Sequence, residues 1–464
     1  MGMPLGYRRR AGKSWDEWKA SHLLLFSEME ASPLVNLGTL GSAGDATATG
    51  TRRLVNTGTK AFVWEPGGTA LISGNTLTVP DEAALRITGD VVLMFRVSAD
   101  DWTPAALTAF GGKDHTTTGR GYALALQTNG RLILFWSPLG TDASAVFRTS
   151  TASVPFSDLG AGWVAAWLKA DNGASGHDVR FYTAPDSESV PTAWTQLGST
   201  VTTAGVTSIF ATTQPFTVGY ARSTSANWAG NIHRAIVRTS MDGADILDID
   251  TAALTDEGAT SFTATTGQTV TINRASGTGY KTTIVLPGSG KRLFNGTSDL
   301  LTVANQAGLN FGASDSFTPW ALIRQWTNTA IGRWIDKFDG TSGWFLGPPG
   351  SMGVRGYLDD GPNTADINSL QTVTAGSLSL VGFTVNRSAQ TLATAVNGTV
   401  SATTSTSAVG SLANSTDVRF GRSGTGANFQ HVEEYAWGIY PGALTAGERA
   451  DLRTALYAQF GLTA

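Results

Sequence analysis

Cysteine is absent from the 464 residues. That excludes disulfides, thiol catalysis and Cys-ligated zinc, and leaves stability to packed cores. Charge is scarce as well, with 15% charged residues, 32 basic against 36 acidic, and a formal net charge of -4. Apart from Arg8-Arg9-Arg10, neither sign gathers into a run, so the electrostatic footprint of nucleic-acid or anionic-membrane binding is missing. No stretch approaches the roughly 20 apolar residues that cross a bilayer. Beyond Arg8-Arg9-Arg10 the chain continues Ala-Gly-Lys-Ser-Trp-Asp-Glu, too polar for the apolar region of a secretory signal. Gly6 stands where a myristoylation motif needs Ser or Thr. These features set the expectation of a chain made in a cytoplasm without its own export signal. Chemistry-bearing motifs are also lacking: there is no GxSxG elbow, Walker loop or dinucleotide fingerprint. His22, His115, His177, His233 and His431 have no partner at zinc-ligand helical spacing.

What is present points to strands. Glycine contributes 55 residues, Thr, Ser and Ala abound, and apolar spacing of helical period is rare, which favours an all-β chain. The length exceeds what one core fills, so two or three domains are expected. An internal echo says how they are arranged. Residues 216–239, FTVGYARSTSANWAGNIHRAIVRT, are repeated loosely from Asp417 onwards: Arg222-Ser223 corresponds to Arg422-Ser423, and Ala226-Asn227-Trp228 to Ala427-Asn428-Phe429. Nearer the start of the unit, Thr78-Val79 corresponds to Thr302-Val303 and Leu85 to Leu309. Offsets of about 200 residues are too long for a solenoid and suit a duplicated domain.

The second copy resembles a known family. LTVANQAGLNFGASDSFTPWALIR, WIDKFDGTSGWFLG (334–347), LSLVGFTVNRSAQTLATAVNGTV (378–400), VRFGRS with NFQHVEEYAWG, and a closing LTAGERADL follow one another as in the laminin-G-like, concanavalin A-like jelly-roll domain. The resemblance covers 285–464 well and 60–245 more loosely. It implies an all-β fold of two tandem concanavalin A-like (LamG-like) sandwiches with a short N-terminal helix and a C-terminal helix. The division it gives is 1–59 as a helical docking or linker segment, 60–245 as the first sandwich, 246–284 as a β-rich connector and 285–464 as the second sandwich. Relatives of this kind bind calcium at a sandwich rim. Lys113-Asp114-His115 and Asp336-Lys337 hold corresponding places there, although nothing local supplies the six to eight oxygens calcium prefers. No other cofactor is implied.

Local signals fill in the frame. Ser14 and Glu17 form a capping box opening a helix read over residues 14–30, on which Trp15, Trp18, His22, Leu25 and Met29 make an a/d-type stripe. Two readings stand for it: packing on its own sandwich, or a docking helix that joins copies into a homo-oligomer. A second capping box, Thr445 with Glu448, opens a helix to about Gln459 with Leu452, Leu456 and Phe460 on one face. Asn129-Gly130 marks a hairpin, and Asn397-Gly398 a tight turn for which the first copy substitutes the longer 185–200. Asp248 and Asp250 share a strand face, the minimum for paired-carboxylate chemistry, but lie at the edge of their copy and read as a solvated strand end. Trp334, Trp344, Tyr357 and Phe429 are the candidate glycan-binding aromatics, since a sugar's C–H face stacks on such rings; the competing reading is sandwich core.

Low charge, no cysteine, no export signal and repeated sandwiches separated by ATSFTATTGQTVTINRASG look like minor tail or fibre proteins of bacteriophages, especially those of actinobacteria. That resemblance implies a virion tail component, partnered by other tail proteins and by host-surface glycan, with neither nucleic acid nor membrane as partner. A tail-associated or secreted glycan-degrading enzyme and a plain structural spacer are the alternatives.

Overall fold

Strands, the central ones buried along their whole length, make up almost every element. The computed structural model describes residues 13–27, 34–49, 52–53, 61–64, 76–114, 118–221, 228–254, 256, 258–274, 282–285, 291–295, 300–325, 332–422 and 431–460. Among these, the chain is all-β apart from short 3-10 turns and two α-helices, Trp15–Ser21 and Ala446–Gln459. No helix of the described residues is long and apolar enough to cross a membrane. The chain divides into two units: Thr57–Pro287, and Met1–Asn56 together with Gly288–Ala464.

In the unit Thr57–Pro287 one sheet runs, in spatial order, Val146–Ser153, Arg131–Trp136, Arg120–Leu126, Thr108–Asp114, Phe216–Val218, Thr76–Val79, Thr269–Asn273 and Ser261–Thr263. The facing sheet is centred on Ala161–Lys169, Val91–Ala99 and Gly230–Arg238. Leu93, Phe95, Phe110, Leu124, Leu134, Val164 and Trp228 close the core between them. On Val91–Ala99 the alternate residues Val92 and Met94 face the other way and are equally buried, in an outer cluster with Trp163 and Ile236 against which Trp194 packs. The 185–200 insertion thus supplies a lid for an apolar outer face. The Asn129-Gly130 turn is borne out: Gly130 takes φ +74°, and Leu126 pairs with Leu132 across it.

The second unit repeats the plan. Its seven-stranded sheet runs Ala46–Thr49, Leu300–Val303, Val418–Phe420, Ile335–Phe338, Gly343–Gly347, Gly353–Asp359 and Thr364–Thr372. Its other sheet is centred on His431–Tyr440, Thr318–Arg324 and Leu378–Asn386. Asn397 and Gly398, at φ +52° and +86°, make the tight turn between Thr391–Val396 and Thr399–Ser405, as their left-handed tolerance suggests. Here the outer apolar face is covered by helices. Trp18, Leu452, Leu456 and Phe460 pack with Trp320, Leu322, Leu380 and Tyr435, and both capping boxes are formed.

Each sandwich is completed by a segment that leaves and rejoins its body, and the two segments match. Leu247–Asp250 pairs with Gly230–Arg238 by Leu247↔Val237 and Ile249↔Ala235. Leu24–Phe26 pairs with His431–Tyr440 by Leu24↔Ile439 and Phe26↔Trp437. Farther on, Thr271↔Thr78 and Ile272↔Leu77 in the first unit are answered by Thr47↔Thr302 and Ala48↔Leu301 in the second. Even the bracing contacts agree, Phe262↔Val270 against Leu34↔Ala46.

This corrects the expected domain division. Residues 246–284 are no connector, because their strands are part of the first sandwich's sheets. Residues 1–59 are no separate docking or linker segment either, because Leu24–Phe26 and Ala46–Thr49 are strands of the second. Composition hid both facts, because stretches rich in Gly, Ser and Thr read as loop or linker.

The helix is corrected too. It ends at Ser21, with His22 at φ -98° and ψ 148°, and the apolar residues that follow form a strand, so the stripe never continues to Leu25 in helical form. Trp18, His22 and Leu25 are fully buried in their own unit, and Trp15 packs on the same cluster; Met29 lies outside the described residues. His22 Nδ1–H donates to the Trp18 carbonyl at 2.8 Å, while its Nε2 accepts from Trp320 Nε1–H at 2.9 Å. That arrangement suits only the neutral ring, and burial lowers its pKa to about 4. These side chains belong to a core, not to a docking face.

Candidate functional site

The outward side of the second unit's seven-stranded sheet carries an unbroken cross-strand row. Registers connect Thr47, Thr302, Arg419, Asp336, Phe345, Tyr357 and Asp366 in turn. Alternation places Ile335, Trp344, Leu346 and Leu358 in the core and so turns Asp336, Phe345 and Tyr357 the other way.

Within that row the rings of Phe345 and Tyr357 stack, 4.7 Å apart and 17° from parallel. Arg333 lies over Phe345 at 3.3 Å from its centroid, and Arg355 over both rings at 5.2 and 5.3 Å. Arg355 makes a two-pronged pair with Asp366, Nε to Oδ1 at 2.9 Å and Nη2 to Oδ2 at 2.7 Å. Asp336 accepts from the Phe338 amide at 3.0 Å and pairs with Arg333 at 3.3 Å. The Tyr357 hydroxyl donates to Asp359 Oδ2 at 2.8 Å. Burial, helped by Asp359, pushes the Tyr357 phenol up to about 12. Burial also brings Arg333 down to about 10, against the pull of Asp336. Every charge here is therefore held in place by its neighbour. At the Asp366 end of the row, Arg355 and Asp366 have 21% and 39% side-chain exposure, with Tyr357 half-buried beside them. Phe345 is only 2% exposed beneath Arg333 and Tyr357, so the half-buried Tyr357 ring is the aromatic surface that a flat apolar group can reach, bordered by fixed donors and acceptors.

Of the four candidate aromatics, Trp334 and Trp344 prove to be fully buried core residues, and they are withdrawn as ligand contacts. Tyr357 is on the outward row, and Phe429 falls outside the described residues. The reading from sequence missed Phe345, Arg355 and Asp366. Period two could have found the first of these, since adjacent Trp344 and Phe345 must point to opposite faces, and the larger ring took the core.

The rim where calcium was implied has different chemistry. Lys337 Nζ donates to Asn305 Oδ1 at 2.9 Å, Asn414 O and Oδ1 both at 3.1 Å, and Thr416 O at 2.7 Å. Burial lowers this ammonium to about 8, partly opposed by Asp417 and Asp339. An ammonium already satisfies that oxygen cluster. In the first unit Lys113 binds Asp81, Asp114 is engaged by Arg120 at 2.8 and 2.9 Å, and His115 lies outside the described residues. Among the described residues no three His, Asp or Glu gather as metal ligands. Asp248 is taken up by Arg234 at 2.8 and 2.6 Å, and Asp250 caps a 3-10 turn by accepting from the Ala252 amide.

No family model and no curated protein matches the chain. Among solved structures it is similar to the binding domain of Paraclostridial Mosquitocidal Protein 1, at 16% identity and TM-score 0.31, over 39% of this chain and 47% of that one. The botulinum neurotoxin serotype G binding domain gives 15% and 0.30, over 35% and 42%. Domain 4 of AbnA, a GH43 extracellular arabinanase from Geobacillus stearothermophilus in complex with arabinotriose, gives 17% and 0.28, over 35% and 76%. The chain thus spans less than half the length of the first two. Likeness at this level assigns neither function nor ligand.

Proposed function

We propose that the chain is a bacteriophage virion protein of the minor tail or fibre kind that binds host-surface glycan through the outward sheet face of its second sandwich. The tail assignment, with other tail proteins as partners, rests on the sequence resemblance. The glycan assignment rests on one observation, the half-buried Tyr357 ring, backed by the buried Phe345 and bordered by Arg355, Asp359 and Asp366. A sugar ring stacks its C–H face on the Tyr357 ring while its hydroxyls donate to the carboxylates and accept from the guanidinium. The reading is of a binder rather than a hydrolase, because the acidic pair weighed as catalytic, Asp248 and Asp250, is occupied by Arg234 and a turn.

The test is retention of the purified chain on intact actinobacterial cells and on their cell-wall polysaccharide, with reducing ends followed in the same tubes. Wild type should be retained without release, and Tyr357→Ala should bind about tenfold more weakly, a loss of about 1.4 kcal/mol. Unchanged retention of the variant would dismiss the Tyr357 face. Release of reducing ends would make the chain an enzyme, and no binding at all would make it a spacer.

A further inference from the structure

The second sandwich is completed by a segment that the whole first sandwich separates from it along the chain. Leu24–Phe26 lies against His431–Tyr440, and Ala46–Thr49 against Leu300–Val303. The first sandwich fills the equivalent positions with Leu247–Asp250 and Thr269–Asn273, which come directly after its body. Two bodies and two completing segments therefore alternate along the chain, and each segment is built for an edge that both bodies possess. Leu24 and Phe26 enter the core as Leu247 and Ile249 do, and Ala46 as Val270 does.

From this equivalence we infer that residues 14–53 are exchangeable between copies: the edges Leu300–Val303 and His431–Tyr440 of one copy take up residues 14–53 of a second copy, joining chains through their second sandwiches. The contacts made are the same whichever copy donates, so exchange has little intrinsic cost. Timing favours it. The donor segment is synthesised first and its acceptor last, an interval of roughly 20–80 s at about 5–20 residues per second. Throughout that interval Trp18, Leu24, Leu25 and Phe26, all buried in the finished unit, lack their final partner edge. The first body offers them only an edge that residues 247–273 later claim. This inference concerns self-association and does not depend on glycan binding.

The cysteine-free chain permits a direct test. Thr47 and Thr302 are Cα partners, so full-length T47C/T302C alone should form an internal disulfide, which establishes the register. Separate T47C and T302C chains, unfolded together and refolded at increasing concentration, should give a disulfide-linked heterodimer mapped to 47–302. Its yield should exceed severalfold that of T47C mixed with a chain carrying Cys at exposed Leu139. Yield no higher than that control would overturn exchange. Failure of the double variant to close internally would overturn the register on which the inference stands.

Discussion

The two sandwiches present the same cross-strand row with opposite chemistry. In the first it reads Thr271, Thr78, Thr217, Gly112, Ala123, Phe135, Phe147. In the second it reads Thr47, Thr302, Arg419, Asp336, Phe345, Tyr357, Asp366. The threonines persist at one margin, where they serve the pairing of the completing segment. Beyond them, the positions held by small and apolar residues in one copy carry arginine, carboxylates and a stacked aromatic pair in the other. Backbone hydrogen bonding fixes the row and leaves its outward side chains free to diverge.

The inward faces diverge as well. Ile232 lies opposite Phe62 and Val97, next to the bulge in its strand; Glu434 occupies the matching place opposite Arg292 and Ile323. Glu434 is fully buried, and neither carboxylate oxygen has a hydrogen-bond partner. Burial raises its pKa well above the ordinary carboxylate value, outweighing the opposing pull of Arg292. A similar contrast separates the buried lysines: Lys113 faces one carboxylate, whereas Lys337 is enclosed by neutral oxygens.

The largest effect should come from the completing segment. Removing residues 14–53 strips three strands, Leu24–Phe26, Ala46–Thr49 and Arg52–Arg53, together with Trp18, from the second unit alone, so calorimetry should lose that unit's unfolding transition and retain the other. Survival of both transitions would mean the segment is dispensable. Next in size, Lys337→Met leaves four oxygens without their donor and should cost the second unit about 1–3 kcal/mol. Lys113→Met should cost the first unit less, because Asp81 keeps Arg86. Equal losses in denaturant titrations would erase the distinction between the two lysines.

The smallest effect depends on pH. Because the folded-state pKa of Glu434 is raised, the folded protein holds a proton that the unfolded chain gives up. The associated stability is full below the ordinary carboxylate pKa of about 4.5 and is lost as pH rises through the elevated value. Glu434→Gln should match wild type near pH 4 and exceed it by about 1–2 kcal/mol at pH 8. Parallel stability–pH curves for the two proteins would show that Glu434 is not the titrating group.

Much was legible from the chain because it depends on neighbours in sequence. Ser14-Glu17 and Thr445-Glu448 make their caps within one turn, and Asn129-Gly130 and Asn397-Gly398 turn locally. The duplication was legible for the same reason, as Thr78 and Thr302 recur in like surroundings. The site was read only in part. Tyr357 was found, but Trp334 and Trp344 were mistaken for it, since ring size says nothing about which side of a sheet a residue occupies.

The amino-acid sequence by itself determined an all-β chain of two related sandwiches with a capped helix near each end, because propensity, capping and period two act over a few residues. Only the tertiary structure decided which segment completes which body, which aromatics face outward, and that Lys337 fills the rim. Those outcomes depend on edges brought together from opposite ends of the chain, and on burial, which a residue acquires only when its neighbours in space arrive.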